Sequence, residues 1–96
     1  MLVLVSYDVS TTTPAGKRRL NQVSKACKDY GMRVQFSIFE CEVDPAQWER
    51  LKTRLLSIVE LTEDSLRFYF LGSNWERMVE HHGLQKAPDM HGLLTL

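Results

Sequence analysis

In this 96-residue chain the residue best placed to do chemistry is Asp8. It closes the segment Met1-Leu-Val-Leu-Val-Ser-Tyr-Asp8, whose Leu2–Val5 run is continuously apolar and β-branched at alternate positions. Such a run fits a central strand buried on both faces better than a half-exposed one, which would alternate. A short carboxylate where that strand leaves the sheet points into the crevice in which α/β and α+β folds commonly hold ligands. What it can do there depends on its company. Magnesium binds oxygen octahedrally, from one or two carboxylates plus water, so a lone aspartate is a poor site. The alternative is a turn former, its oxygens accepting backbone N–H groups of the Ser10–Thr13 loop. No Gly-rich strand–helix loop is present to cradle nucleotide phosphates.

The other chemically useful side chains are basic. Lys17, Arg18, Arg19, Lys25, Lys28 and Arg33 stand against one acid, Asp29, although the whole chain has zero formal net charge. From Val34 onward ten acids face six bases. Net neutrality argues against a simple nucleic-acid coat, whereas this distribution suits one basic face and an unlike-charged partner elsewhere. That face is helical. Thr13 can cap, Pro14 suits the first helical position, and the helix is predicted to run to Tyr30 with Gly31 as its left-handed stop. Leu20, Val23, Cys27 and Tyr30, with Ala26 beside them, form its buried stripe. Lys17, Asn21, Lys25 and Lys28 fall on another side with Arg18 next to them, as either a solvated surface or a contact for phosphates. Arg19 differs: its helical angle places it near the apolar stripe, in the first turn, at the same end as Asp8.

The remaining elements position these two groups. In Met32–Val43, Val34, Phe36 and Ile38 alternate on one phase, then Phe39, Cys41 and Val43 on the other. A slip of one residue means a bulge or bend near Ile38–Phe39, or two short strands. Phe39 beside that bend either stacks on a base or packs inward. Asp44-Pro45-Ala46-Gln47 opens a second helix with a capping box, whose stripe is Trp48, Leu51, Leu55, Ile58 and Val59. Thr62-Glu63-Asp64 breaks it, Ser65–Leu71 alternates as a strand, and an edge strand is expected over Trp75–Glu80. His81 and His82, as neighbours on an extended chain, point opposite ways and do not make a metal site; His91 has no evident partner.

This order is that of a ferredoxin-like α+β sandwich, βαββαβ, with an antiparallel sheet and both helices on one face. Residues 1–83 are expected to form that domain, and 84–96, ending Leu93-Leu94-Thr95-Leu96, to pair with a sheet edge of a second copy or a partner. Cys27 and Cys41 read as reduced core thiols of a cytoplasmic protein. No apolar run reaches membrane-spanning length, and Met1 leads straight into strand without a leader.

Several pieces together resemble a known family. Tyr7-Asp8-Val9, Gly16-Lys-Arg-Arg-Leu20, and Tyr30-Gly-x-Arg33-Val-Gln-x-Ser37-x-Phe39-Glu40 look like the small CRISPR-associated Cas-two family, partner of the Cas-one integrase. Ser65-Leu-Arg-Phe-Tyr-x-Leu71-Gly, Val79-Glu-His and the Gly92-Leu-Leu tail extend the likeness over almost the whole chain. The resemblance implies a ferredoxin-like homodimer whose strand-end aspartates approach across the two-fold axis. For some members it implies nuclease activity on RNA or double-stranded DNA with magnesium or manganese, and for others a scaffold holding integrase dimers along a DNA duplex. Carried over by position, Asp8 is the metal ligand, and Tyr7, Arg19, Arg33, Ser37 and Phe39 lie around the same cleft, with Arg19 or Arg33 holding a phosphate. One departure stands out: the loop after Asp8 carries Ser10 and three threonines where many relatives carry further acids. By fold alone, a ligand-binding regulatory domain is the alternative.

Overall fold

The opening apolar run forms β1 (Leu2–Asp8), and the sheet is built outward from it. The computed structural model describes residues 1–71 and 79–84. After β1 come α1 (Pro14–Lys28), β2 (Gly31–Gln35), β3 (Ile38–Glu42), α2 (Pro45–Ile58), β4 (Ser65–Leu71) and β5 (Val79–Gly83). The five strands lie in the order β2-β3-β1-β4-β5, all neighbours antiparallel, so β1 is central with β3 and β4 on its flanks. This is the ferredoxin-like order with one extra strand beside β4.

Period-two alternation gives β1 two unlike faces. Val3, Val5 and Tyr7 are buried against both helices, in one core with Phe39, Cys41, Leu66 and Phe68 from the sheet and Val23, Ala26, Cys27, Trp48, Leu51 and Leu55 from the helices. On the other face Leu2 and Leu4 are partly covered and Ser6 is buried. Each fully buried leucine of α2 contributes about 1.5–3 kcal/mol by leaving water. Trp48 sets the seat of α2 by meeting the edges of Phe68 and Phe70 at 4.8 and 5.4 Å. The capping box of α2 forms in full, Asp44 accepting from the Gln47 amide and Gln47 from the Asp44 amide.

Three boundaries differ from expectation. The first helix ends at Lys28 with Asp29 as its cap, and Gly31 is not a left-handed stop. Gly31 opens β2 instead, where a Cβ would fall 2.4 Å from the Glu40 carbonyl oxygen, so close strand pairing explains the glycine. The phase slip in 32–43 resolves as two strands joined by a two-residue turn at Phe36-Ser37, with a bulge between Arg33 and Gln35. The last described strand begins at Val79 and runs on to Gly83; the expected strand residues Trp75–Met78 and the tail beyond Leu84 lie outside the described residues.

On the sheet face away from the helices, Tyr69 is buried, and its hydroxyl has no hydrogen-bond partner among the described residues. A buried unpaired hydroxyl costs free energy that its removal recovers. Tyr69→Phe is therefore expected to leave the urea midpoint unchanged or raised. A loss above about 1 kcal/mol would show that the hydroxyl finds a partner in solution.

Candidate functional site

Strand directions bring the end of β1, the start of α1, the β2–β3 turn and the start of β4 to one end of the sheet. Asp8 sits there, exposed, opposite Ser65 in the β1–β4 register. Because Tyr7 points into the core, alternation turns Asp8 toward the open face.

The loop after Asp8 is held by a different carboxylate. Asp64 has no exposed surface and accepts four hydrogen bonds, from Arg19 Nε at 2.8 Å, Arg19 Nη2 at 3.3 Å, the Ser10 amide at 3.0 Å and the Glu60 amide at 2.9 Å. Its own carbonyl accepts from the Leu84 amide at 3.0 Å. One residue thus ties together the β1–α1 loop, the first turns of α1, the exit of α2 and the end of β5. Burial pushes the Asp64 carboxyl up, but Arg19 and the Glu60 and Ser10 amides outweigh it and hold the group below its ordinary value. Gly16 completes the arrangement: a Cβ there would lie 1.9 Å from the Ser10 carbonyl oxygen, so the loop can lie against the first turn of α1, where Thr13 caps the Gly16 amide.

Arg19, expected to hold a phosphate near Asp8, donates through Nε and Nη2 to Asp64. Two of its five N–H donors go to Asp64, Glu63 lies 3.7 Å away, and its side chain is 15% exposed. Arg33 packs on the helix side of the sheet, its guanidinium 5.1 Å over the Phe39 ring and donating to Ser24 Oγ of α1. Asp8 turns to the opposite face, so one chain does not assemble Asp8, Arg19 and Arg33 into a single cleft.

Tyr7 and Phe39, expected at a nucleic-acid cleft, are core residues. Phe39 is wholly buried and Tyr7 nearly so, their rings stacked with centroids 6.2 Å apart, which favours packing over base stacking. Burial raises the Tyr7 phenol, partly offset by Ser24 and Arg33. Tyr7 also fixes the turn at the Asp8 end: its amide donates to the Ser37 carbonyl at 3.0 Å and its hydroxyl to the Phe36 carbonyl at 3.4 Å. Ser37 is partly exposed at the Asp8 end of the sheet.

Lys17, Arg18, Lys25 and Lys28 are all exposed along α1, and none takes part in an ion pair among the described residues. The histidines diverge as expected. Arg67 Nε donates to His81 Nδ1 at 3.2 Å, which puts the imidazole proton on Nε2, facing the Gly83 and Leu84 carbonyls. His82 turns to the helix side and pairs with Glu80, which also meets Lys52 at 2.6 Å. Burial pushes the Cys27 thiol up to about 12 and Cys41 to about 11, so neither is a nucleophile.

Among the described residues no three His, Cys, Asp or Glu side chains gather to hold a metal ion. Asp64 is saturated by its four donors, and Asp8 is the exposed carboxylate at the end of the central strand. One carboxylate is a poor site for magnesium or manganese, and a second carboxylate from another copy would improve it. No helix among the described residues is long and apolar enough to cross a membrane.

Fold and site together define a small ferredoxin-like α+β protein with an exposed strand-end aspartate and a basic first helix. Residues 1–79 match the family model described as CRISPR associated protein Cas2, and the chain belongs to that family, which displaces the regulatory-domain alternative. It is 59% identical over 96 residues to the CRISPR-associated endoribonuclease Cas2 of Chlorobaculum tepidum, covering all of both chains. It is 49% identical over 90 residues to the CRISPR-associated endonuclease Cas2 of Halalkalibacterium halodurans, covering 94% of each. The crystal structure of Streptococcus pyogenes Cas2 at pH 6.5 superposes with a TM-score of 0.71 at 57% identity, covering 83% of this chain and 96% of that one.

Proposed function

We propose that this chain is a cytoplasmic CRISPR adaptation protein that works as a homodimer and hydrolyses phosphodiester bonds of RNA or duplex DNA at a site shared by two Asp8 carboxylates. The observation that carries the proposal is Asp8 itself, exposed at the end of the central strand in a family whose relatives bear the names endoribonuclease and endonuclease. Two such carboxylates across a two-fold axis give the oxygen donors that one chain lacks. A divalent cation held there supplies an activated water and a Lewis acid for the phosphodiester. The chain's own part is to hold Asp8 at a fixed strand end: Asp64 and Arg19 brace the loop that follows, and Tyr7 braces the neighbouring turn. Cleavage of single-stranded RNA or duplex DNA is expected to require magnesium or manganese and to stop on chelation. Cleavage that persists in chelator contradicts the proposal.

The basic α1 favours a second role alongside the first, as a scaffold that holds a DNA duplex for the Cas-one integrase during spacer acquisition. Phosphate contacts orient a duplex without reading its sequence. Replacing Lys17 and Arg18 together by alanine is expected to weaken duplex binding equally for unrelated sequences, as measured by fluorescence anisotropy. Unequal losses would mean that these residues read bases.

A further inference from the structure

The antiparallel packing of α1 and α2 leaves a cavity of about 300 Å³ between their outer surfaces, lined by Gln22, Lys25, Arg54 and Ile58. It lies on the far side of the helices from the open sheet face, away from Asp8. Two of its four lining side chains are cationic. Arg54 is held from one side by Asp29, the cap of α1, with Nη1 2.7 Å from Oδ2. That bond uses one of the five N–H donors of the guanidinium fork and fixes its direction. Lys25 takes part in no ion pair among the described residues. The Gln22 amide adds a neutral donor, and Ile58 gives an apolar wall. After Asp29 is counted, the cavity keeps an excess of one positive charge.

We propose that this cavity is a phosphate-binding site that takes one phosphodiester of a nucleic-acid backbone. A planar fork fixed at one edge and a mobile ammonium beside it suit the tetrahedral oxygens of a phosphate better than the apolar side chain of a protein partner. The volume equals roughly ten water molecules, enough for the anion with part of its hydration shell. Lys25 also belongs to the exposed basic side of α1, with Lys28 one turn away and Arg18 two turns back on the same side. A backbone tracking that side therefore enters the cavity at Lys25 and meets Arg54, which extends the contact from one helix to both. Arg54 lies outside the basic cluster of 17–33, so the juxtaposition exists only in the folded chain.

The inference rests on the proposed nucleic-acid binding, and the salt dependence of binding separates the two. Each phosphate contact to a duplex contributes about 0.9 to the slope of log K against log salt. Arg54→Gln is expected to flatten the slope for an arbitrary duplex by up to about 0.9, and Arg54→Gln with Lys25→Gln by about 0.9 in all, because both cations meet one phosphate. Arg50→Gln, one turn earlier on α2 and not lining the cavity, is expected to leave the slope unchanged. Circular dichroism melting of each variant confirms that the fold is kept. If wild-type protein binds no nucleic acid, the functional reading fails. If it binds, and Arg54→Gln leaves the slope where it was, the cavity is not a phosphate site. Equal flattening by Arg50→Gln would also overturn the inference, because diffuse charge would then account for the loss.

Discussion

Asp64→Ala is expected to destabilise the chain by roughly 3 kcal/mol, at the low end for breaking a buried ion pair because Arg19 keeps some access to water. That is a large share of what a domain of this size possesses. The loss has two sources. Arg19 is left without its counter-charge, and the Ser10 and Glu60 amides lose their acceptor where water replaces it poorly. Asp64→Asn keeps the shape and one acceptor oxygen, so it should lose less. The effect carries a pH signature. The folded carboxyl sits below its ordinary value of 3.8, so its contribution is fully present above that value and is lost as pH falls through the folded one. The stability gap between wild type and Asp64→Asn, read from urea midpoints, should be constant near neutrality and narrow below about pH 4. A gap that does not change with pH would mean that the ion pair is absent in solution.

The second large effect concerns activity. Asp8→Asn is expected to abolish metal-dependent cleavage while leaving a folded protein, because the amide keeps the size of the side chain and loses the anionic oxygen that a hard cation needs. If Asp8 is instead a turn former, the same change should cost about 1 kcal/mol of stability and leave metal affinity untouched. Spacer acquisition should survive the substitution if the scaffold role is independent of cleavage. Cleavage by a repurified Asp8→Asn protein would assign the chemistry to another residue.

Asp8 was legible because an unbroken apolar run followed by a short acid marks the end of a central strand. The helices were legible too, since Thr13-Pro14 and the Asp44–Gln47 box satisfy orphan amides by local chemistry alone. Gly31 misled because a glycine after a helix serves equally for a left-handed stop and for close strand pairing, and only the position of Glu40 separates the two. In the sequence Asp64 shows only as part of a helix break, since its four donors come from three separate segments that meet on folding. A signal did exist. Arg19 lies off the basic face and against the apolar stripe, and a cation in that position requires a buried anion. Tyr7, Arg33 and Phe39 belong to the motif pieces, but alternation sends all three to the helix side, where Tyr7 and Phe39 are core and the exposed Arg33 lies over the Phe39 ring.

The claim that two chains share one catalytic site is tested most directly by subunit mixing. Wild-type protein is exchanged with an equal amount of Asp8→Asn protein, with exchange followed by differently tagged chains, and cleavage is compared with that of the same total of wild type. A shared site leaves only the wild-type pairs active, about a quarter of an exchanged two-fold dimer population. Activity near a quarter is the expected result, and activity near half would show that each Asp8 works alone.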